Sequence, residues 1–225
     1  MAHMKRIITS AILTLLSFAN ANAAMPEESD AVMREPIAVP SGDYTLDKSH
    51  SSIAFSLSHL GFSHYTAQFK NFDAKLKLDI SSFDKSTVEV TIDPMSLDLP
   101  TPPAGFKDEL LGDKWLNAKA HPLITFKSTK VEYTSRIKAR ITGDLTLHGV
   151  TKPIVLDAVF NGGYKGIPDR DPNARAGFSA KTTFKRSDFG IAYGIPEAGS
   201  NMGVGDEVNV TIETEFTGPA LTEKK

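Results

Sequence analysis

The sequence predicts an all-β fold, a closed antiparallel eight-stranded β-barrel with one or two short inserted helices. Three observations lead there. Apolar residues recur at every second position over most of the chain, turn residues separate these runs at hairpin-like spacing, and a single interval has helical spacing instead. In "FDAKLKLDI" Phe72, Ala74, Leu76 and Leu78 face one way while Asp73, Lys75, Lys77 and Asp79 face the other, as a strand buried on one face requires. The alternation returns in "TVEVTID", "RIKARITGDLTL" and "EVNVTIETEF", the last with Val208, Val210, Ile212 and Phe216 on its apolar side. Closure removes the edges that an open sheet leaves exposed; a β-sandwich is the alternative with the same periodicity. The longest runs span roughly 30 Å at about 3.3 Å per residue, enough for a barrel that holds a long, thin ligand.

Along the chain, Lys5 and Arg6 precede the uncharged apolar run "IITSAILTLLSFA", and "ANA" at Ala21–Ala23 supplies small residues for cleavage. This is the pattern of a secretory signal peptide over residues 1–23, and the run is too short to span a bilayer. Cleavage near Ala23 predicts a periplasmic or secreted protein without stable membrane insertion. A flexible leader with three prolines is expected over 24–42, the barrel over 43–218 and a short tail over 219–225. The helical interval is "TPPAGFKDELLGDKWLNAKAHP", where Phe106, Leu110, Leu111 and Trp115 recur at helical spacing. "GGYKGIPDRDPNARAG", rich in glycine, proline and charge, reads as a long mobile loop.

Composition excludes several kinds of chemistry. The 225 residues include no cysteine, so there is no disulfide, thiolate metal site or cysteine nucleophile. A net charge of −2 without basic runs argues against nucleic-acid binding, which needs clustered Lys and Arg. Five histidines follow the signal, His50, His59, His64, His121 and His148. None is at a recognisable ligand spacing, so no metal site and no cofactor is expected. His59 and His64 flank "LGFS", near enough for a loop to bring them together. "LDKSHSS" holds Asp47, His50 and Ser51, the residue types of a hydrolytic triad, but neighbours on a strand point to opposite faces and no nucleophile elbow is present. A triad assembled from distant segments keeps a secreted hydrolase as the competing reading. His148, at the end of the strand "LTLH", is expected to satisfy backbone groups there.

The remaining chemistry is apolar. Ile53, Phe55, Leu57, Phe72, Leu76, Ile124, Phe126, Phe178 and Phe184 form inward sets, and with the helical Phe106, Leu110, Leu111 and Trp115 they line a pocket or simply fill the barrel. Burying a methylene contributes about 0.8 kcal/mol, so a long alkyl or prenyl chain binds well with few polar contacts.

Three segments in order, "YTLDKSHSSIAFSLSHLGFSHYTAQF", "GDLTLHGVTKPIVL" and "FSAKTTFKRSDFG", with "FKDELLGDKWLNAKAHPLITF" between them, resemble the signature segments of the YceI-like family from about Asp43 to Phe216. That resemblance implies an exported, lipocalin-like barrel described as polyisoprenoid-binding. It does not imply an enzyme, and none is expected; the partner it implies is an isoprenoid, a quinone or a fatty-acid-derived small molecule. On this reading Phe55, Leu57, Phe62, Phe126 and Trp115 contact the ligand tail, joined by Phe106, Leu110, Leu111, Phe178 and Phe184, while His59, His64 and Arg186 stand at the polar head. Transport, storage, sequestration or a stress-response role all fit, and the strand pattern leaves a homodimer open.

Overall fold

The structure, a computed structural model, describes residues 39–221. The expected signal peptide, the leader up to residue 38 and the last four residues of the tail lie outside the described residues. Ten strands and one α-helix follow in the order β1 (Gly42–His59), β2 (Ser63–Phe69), β3 (Phe72–Leu78), β4 (Thr87–Ile92), β5 (Leu97–Asp98), α1 (Phe106–Leu111), β6 (Ile124–Tyr133), β7 (Lys138–Leu147), β8 (Val150–Tyr164), β9 (Asn173–Lys185) and β10 (Glu207–Ala220). The sheet runs β10-β9-β8-β7-β6-β4-β3-β1, and β1 pairs again with β10, so eight antiparallel strands close into a barrel.

The two remaining strands extend this wall at one end. β1 is long enough to pair with β3 through Gly42–Thr45 and with β2 through Ile53–His59. β2 therefore continues the line of β3, and β5 continues that of β4 by pairing with β2. β5 stops after two residues. From Leu99 to Leu123 the chain leaves the sheet, and the expected helical insert covers this part of the wall. Its backbone bonds close within the insert itself, for example Leu116 N–H to Leu110 C=O at 3.0 Å and Ala118 N–H to Leu111 C=O at 3.0 Å.

Where β1 meets β10, Asp47 pairs with Glu215 and Ser52 with Glu213. Residues 48–51 therefore face Thr214 alone, a bulge that turns "KSHS" outward. At the other end of the wall β7 and β8 are joined by His148 and Gly149 with φ of 52° and 76°, the two left-handed residues of a type I′ hairpin turn. A Cβ on Gly149 would lie 2.5 Å from the His121 ring. The His148 Nδ1 atom is 3.1 Å from the Phe189 carbonyl; a carbonyl only accepts, so Nδ1 carries the proton and ties the hairpin to the turn after β9.

Two expectations change. The leader, expected to stay flexible to residue 42, already joins the core at Val39, which is 2% exposed. The loop expected over "GGYKGIPDRDPNARAG" shrinks to the connection 165–172, since β8 runs to Tyr164 and β9 starts at Asn173. Its charge serves a network on the strands: Asp171 accepts from the Tyr164 hydroxyl at 2.9 Å and from Arg175 Nε at 2.9 Å, and Arg175 Nη1 reaches Asp47 at 3.0 Å. Polar composition imitates a loop when both ends of a hairpin are laced by ion pairs.

The interior divides in two. At the base, Tyr44, Phe72, Phe216, Leu78 and Ile53 pack against Val39, Ala174 and Ala176, with Phe160 and Phe178 beside them. Tyr44 is almost fully enclosed; its hydroxyl donates to the Pro40 carbonyl at 2.7 Å, and burial pushes its phenol up to about 12. The second cluster, at the insert's end, gathers Phe69, Leu97, Ile124, Phe126, Leu145, Leu147 and Phe189.

Candidate functional site

The second cluster surrounds space. A cavity of about 680 Å³ occupies the barrel under the insert. Alternation builds its wall: Ile53, Phe55 and Leu57 on β1, Tyr65, Ala67 and Phe69 on β2, and Val208, Val210 and Ile212 on β10 all turn inward to it. Phe55 and Phe69 stack with ring centres 5.4 Å apart, giving the middle of the cavity an aromatic side. The insert roofs it with Pro103, Phe106, Leu110, Trp115 and Leu116. Several lining residues, His59, Pro103, Glu109 and Tyr193 among them, are also exposed, so the cavity opens at this rim.

The roof is held by rings. Tyr65 meets Phe106 edge to face at 6.2 Å, and Trp115 meets Tyr193 at 5.6 Å. No residue of α1 is fully buried. The Arg186 guanidinium stacks over the Trp115 ring at 5.0 Å. The Tyr65 hydroxyl and the Trp115 indole N–H are buried without a hydrogen-bond partner in the protein.

Arg186, read from the sequence as a candidate for the polar head, is 3% exposed. It donates to four backbone carbonyls: Gly205 (2.9 Å), Ile191 (3.0 Å), Tyr193 (2.9 Å) and Val204 (2.8 Å). Burial pushes its pKa down from the ordinary value, and Asp206 partly offsets this. Four of its five N–H groups thus pin the loop between β9 and β10 against the rim. Its geometry is that of a positioning residue for the cavity mouth.

The other sequence candidates divide by place. Phe55, Leu57, Phe106, Leu110, Trp115, Phe126 and Phe184 line the cavity, and His59 stands at its rim. Leu111 packs into the surrounding cluster behind the lining. Phe178 sits in the base, 6.0 Å from Phe216. Phe62 is at the tip of the β1–β2 hairpin and 79% exposed. His64 pairs with Ser58, one register step from the inward pair Leu57–Tyr65, so it points outward while His59 points in, and the loop does not bring the two histidines together. The sequence reading missed Tyr65 and Phe69, although they alternate with Ala67 on β2. It also missed Tyr193, which comes from a loop with no periodicity to reveal it.

The triad residue types do meet on the β1 bulge, in a different arrangement. His50 Nδ1 lies 3.1 Å from Asp47 Oδ2 and 3.2 Å from Ser49 Oγ, so acid and serine compete for one ring nitrogen. Ser51 Oγ donates to the Asp47 carbonyl at 2.8 Å. A hydrolytic triad needs the serine on the opposite nitrogen from the acid. Asp47, His50 and Glu215 also place potential ligand atoms within 4.8 Å of one another. Asp47 is already engaged by Arg175, and hydrogen bonds from Ser49 and His50 lower its carboxyl to about 2. The cluster fits an ion-paired latch between β1, β9 and β10.

Comparison with known proteins fits this architecture. A profile of the YceI-like domain matches residues 44–216. A UPF0312 protein of Ectopseudomonas mendocina is 41% identical over 153 residues, covering 66% of this chain and 76% of that protein. One from Vibrio parahaemolyticus is 36% identical over 182 residues, 79% of this chain and 90% of the relative. The crystal structure of a Campylobacter jejuni YCEI protein superposes with a TM-score of 0.60 at 35% identity, over 78% of this chain and 98% of that one. A polyisoprenoid binding domain from Saccharophagus degradans shares the fold at TM-score 0.57 and 13% identity, covering 78% and 98% of the two chains.

Proposed function

The chain belongs to the YceI-like family, and from that premise we propose that it binds a long hydrophobic amphiphile, an isoprenoid or similar lipid, in the barrel cavity and carries or sequesters it outside the cytoplasm. The observation that carries this reading is the roofed cavity of about 680 Å³ with an almost wholly aliphatic and aromatic wall. Solvent exclusion drives the binding: the tail leaves water for the apolar wall, each methylene contributing about 0.8 kcal/mol. The head stays at the rim, where His59 and Glu109 are exposed. The related fold from Saccharophagus degradans is described as polyisoprenoid-binding, which supports the ligand class. The export expected from residues 1–23 supports a periplasmic or secreted carrier. The role proposed is binding without catalysis.

The test is organic extraction and mass spectrometry of protein purified from its host's extracytoplasmic fraction. The expected result is an apolar amphiphile in near-stoichiometric amount. Repeated empty preparations that also take up no added prenyl alcohol would overturn the proposal.

A further inference from the structure

The cavity is blind, and we propose that its floor sets the longest tail that the protein takes up in full. This rests on the binding reading above and adds a chain-length limit with named residues. Val90, Ile92 and Ile212 pack against both interior clusters and also line the cavity, so they mark where space gives way to packed core. Ile53 completes this floor, paired with Ile212 on β10. Phe72 stands beside Ile92 on the neighbouring strand, and towards the base lies Phe216, both buried, with Phe178 edge-on to Phe216 at an interplanar angle of 78°. Tyr44, Val39 and Ala174 close the far end of the barrel. A chain that enters at the rim beside Trp115 meets this plug and cannot thread through.

The size follows from the volume. At about 30 Å³ per water-sized group, about 680 Å³ accommodates roughly twenty carbons, or about four isoprene units. Every methylene inside the cavity raises affinity roughly fourfold at 25 °C. Carbons beyond the floor's limit remain at the wet rim and add little. Affinity therefore climbs with tail length and then levels off, and the floor side chains set where it does.

The experiment offers the delipidated, folded protein an equimolar pool of linear primary alcohols of about ten to about thirty carbons, and reads bound chain lengths by native mass spectrometry. The wild type is expected to level off near twenty carbons. Ile212→Ala, which deepens the floor, moves the plateau to longer chains by about two carbons, and Val90→Phe, which raises it, moves the plateau shorter by about as many. Opposite shifts are something that partial unfolding cannot imitate. The inference is overturned if the plateau stays in place in both variants, or if wild-type affinity keeps climbing to the longest alcohol. Failure of the wild type to bind any alcohol is a distinct result, which removes the binding reading itself.

Discussion

The two ends of this barrel are built from the same alternating strands and differ in what meets inside them. At the base, bulky Tyr44, Phe72 and Phe216 face Ala174 and Ala176, so large and small side chains interlock in a packed core. At the other end Phe55, Leu57, Phe69 and Phe126 face one another across a wall that β5 leaves incomplete, and the insert spans the gap with Phe106 and Trp115. Whether a small barrel is plugged or hollow thus depends on the sizes paired across the interior and on where the sheet is interrupted. Period-2 patterning is blind to both.

Substitutions break this contrast in graded ways. The largest effect is expected at the base: Phe216→Ala leaves a void in packed core and costs about 3–5 kcal/mol, whereas Phe55→Ala beside existing space costs about 2 kcal/mol or less. Urea denaturation of both variants checks the difference, and equal losses would mean that the two ends are packed alike. Arg186→Met strands four carbonyls of the rim loop and is expected to cost about 3 kcal/mol. Arg186→Lys, which lacks the planar fork, recovers only part of that stability, and hydrogen exchange should show residues 191–205 less protected in both.

Adding volume keeps the same order of tolerance. Ala176→Leu at the base is expected to cost about 1–3 kcal/mol through overpacking. Ala67→Leu in the cavity wall changes stability by less than about 1 kcal/mol while shrinking the space for a ligand, so thermal melts and lipid uptake should move independently.

An effect of similar small size concerns acid. Asp47 has its carboxyl lowered from 3.8 to about 2 in the folded protein, so its contribution is complete above about pH 4 and is lost as the pH falls from there to about 2. Allowing for solvent screening it amounts to about 1 kcal/mol. Asp47→Asn should lower stability at neutral pH by about that much and flatten the dependence below pH 4, as equilibrium denaturation at several pH values would measure.

Much of the architecture was legible in the chain. Alternation from Phe72 to Leu78 and from Val208 to Phe216 specified inward faces that the register confirms, and the insert stands where Phe106, Leu110 and Trp115 broke the pattern. The candidate site was legible residue by residue only where a strand carried it: Phe55, Leu57, Phe126 and Phe184 line the cavity because their neighbours alternate with them. Phe178 shows the limit. It faces inward as its period demands, yet lies below the floor, because depth along a strand depends on register with β10 and not on the period. Phe62 shows another, since an aromatic residue at a two-strand turn has no inward side. Arg186 was named from the sequence, but its role required coordinates, because its partners are carbonyls from residues 191, 193, 204 and 205, which no side-chain pattern announces.

The central claim is that an apolar tail occupies the space beneath the insert, and Trp115 is placed to report it. It is the chain's only tryptophan and lines the cavity, so its fluorescence comes from the site alone. Titration of the delipidated protein with a brominated alkyl alcohol is expected to quench that emission saturably, and an unbrominated alcohol of equal length should reverse the quenching by competition. Quenching that rises linearly without saturation, or that the competitor leaves unchanged, would contradict occupancy of the cavity.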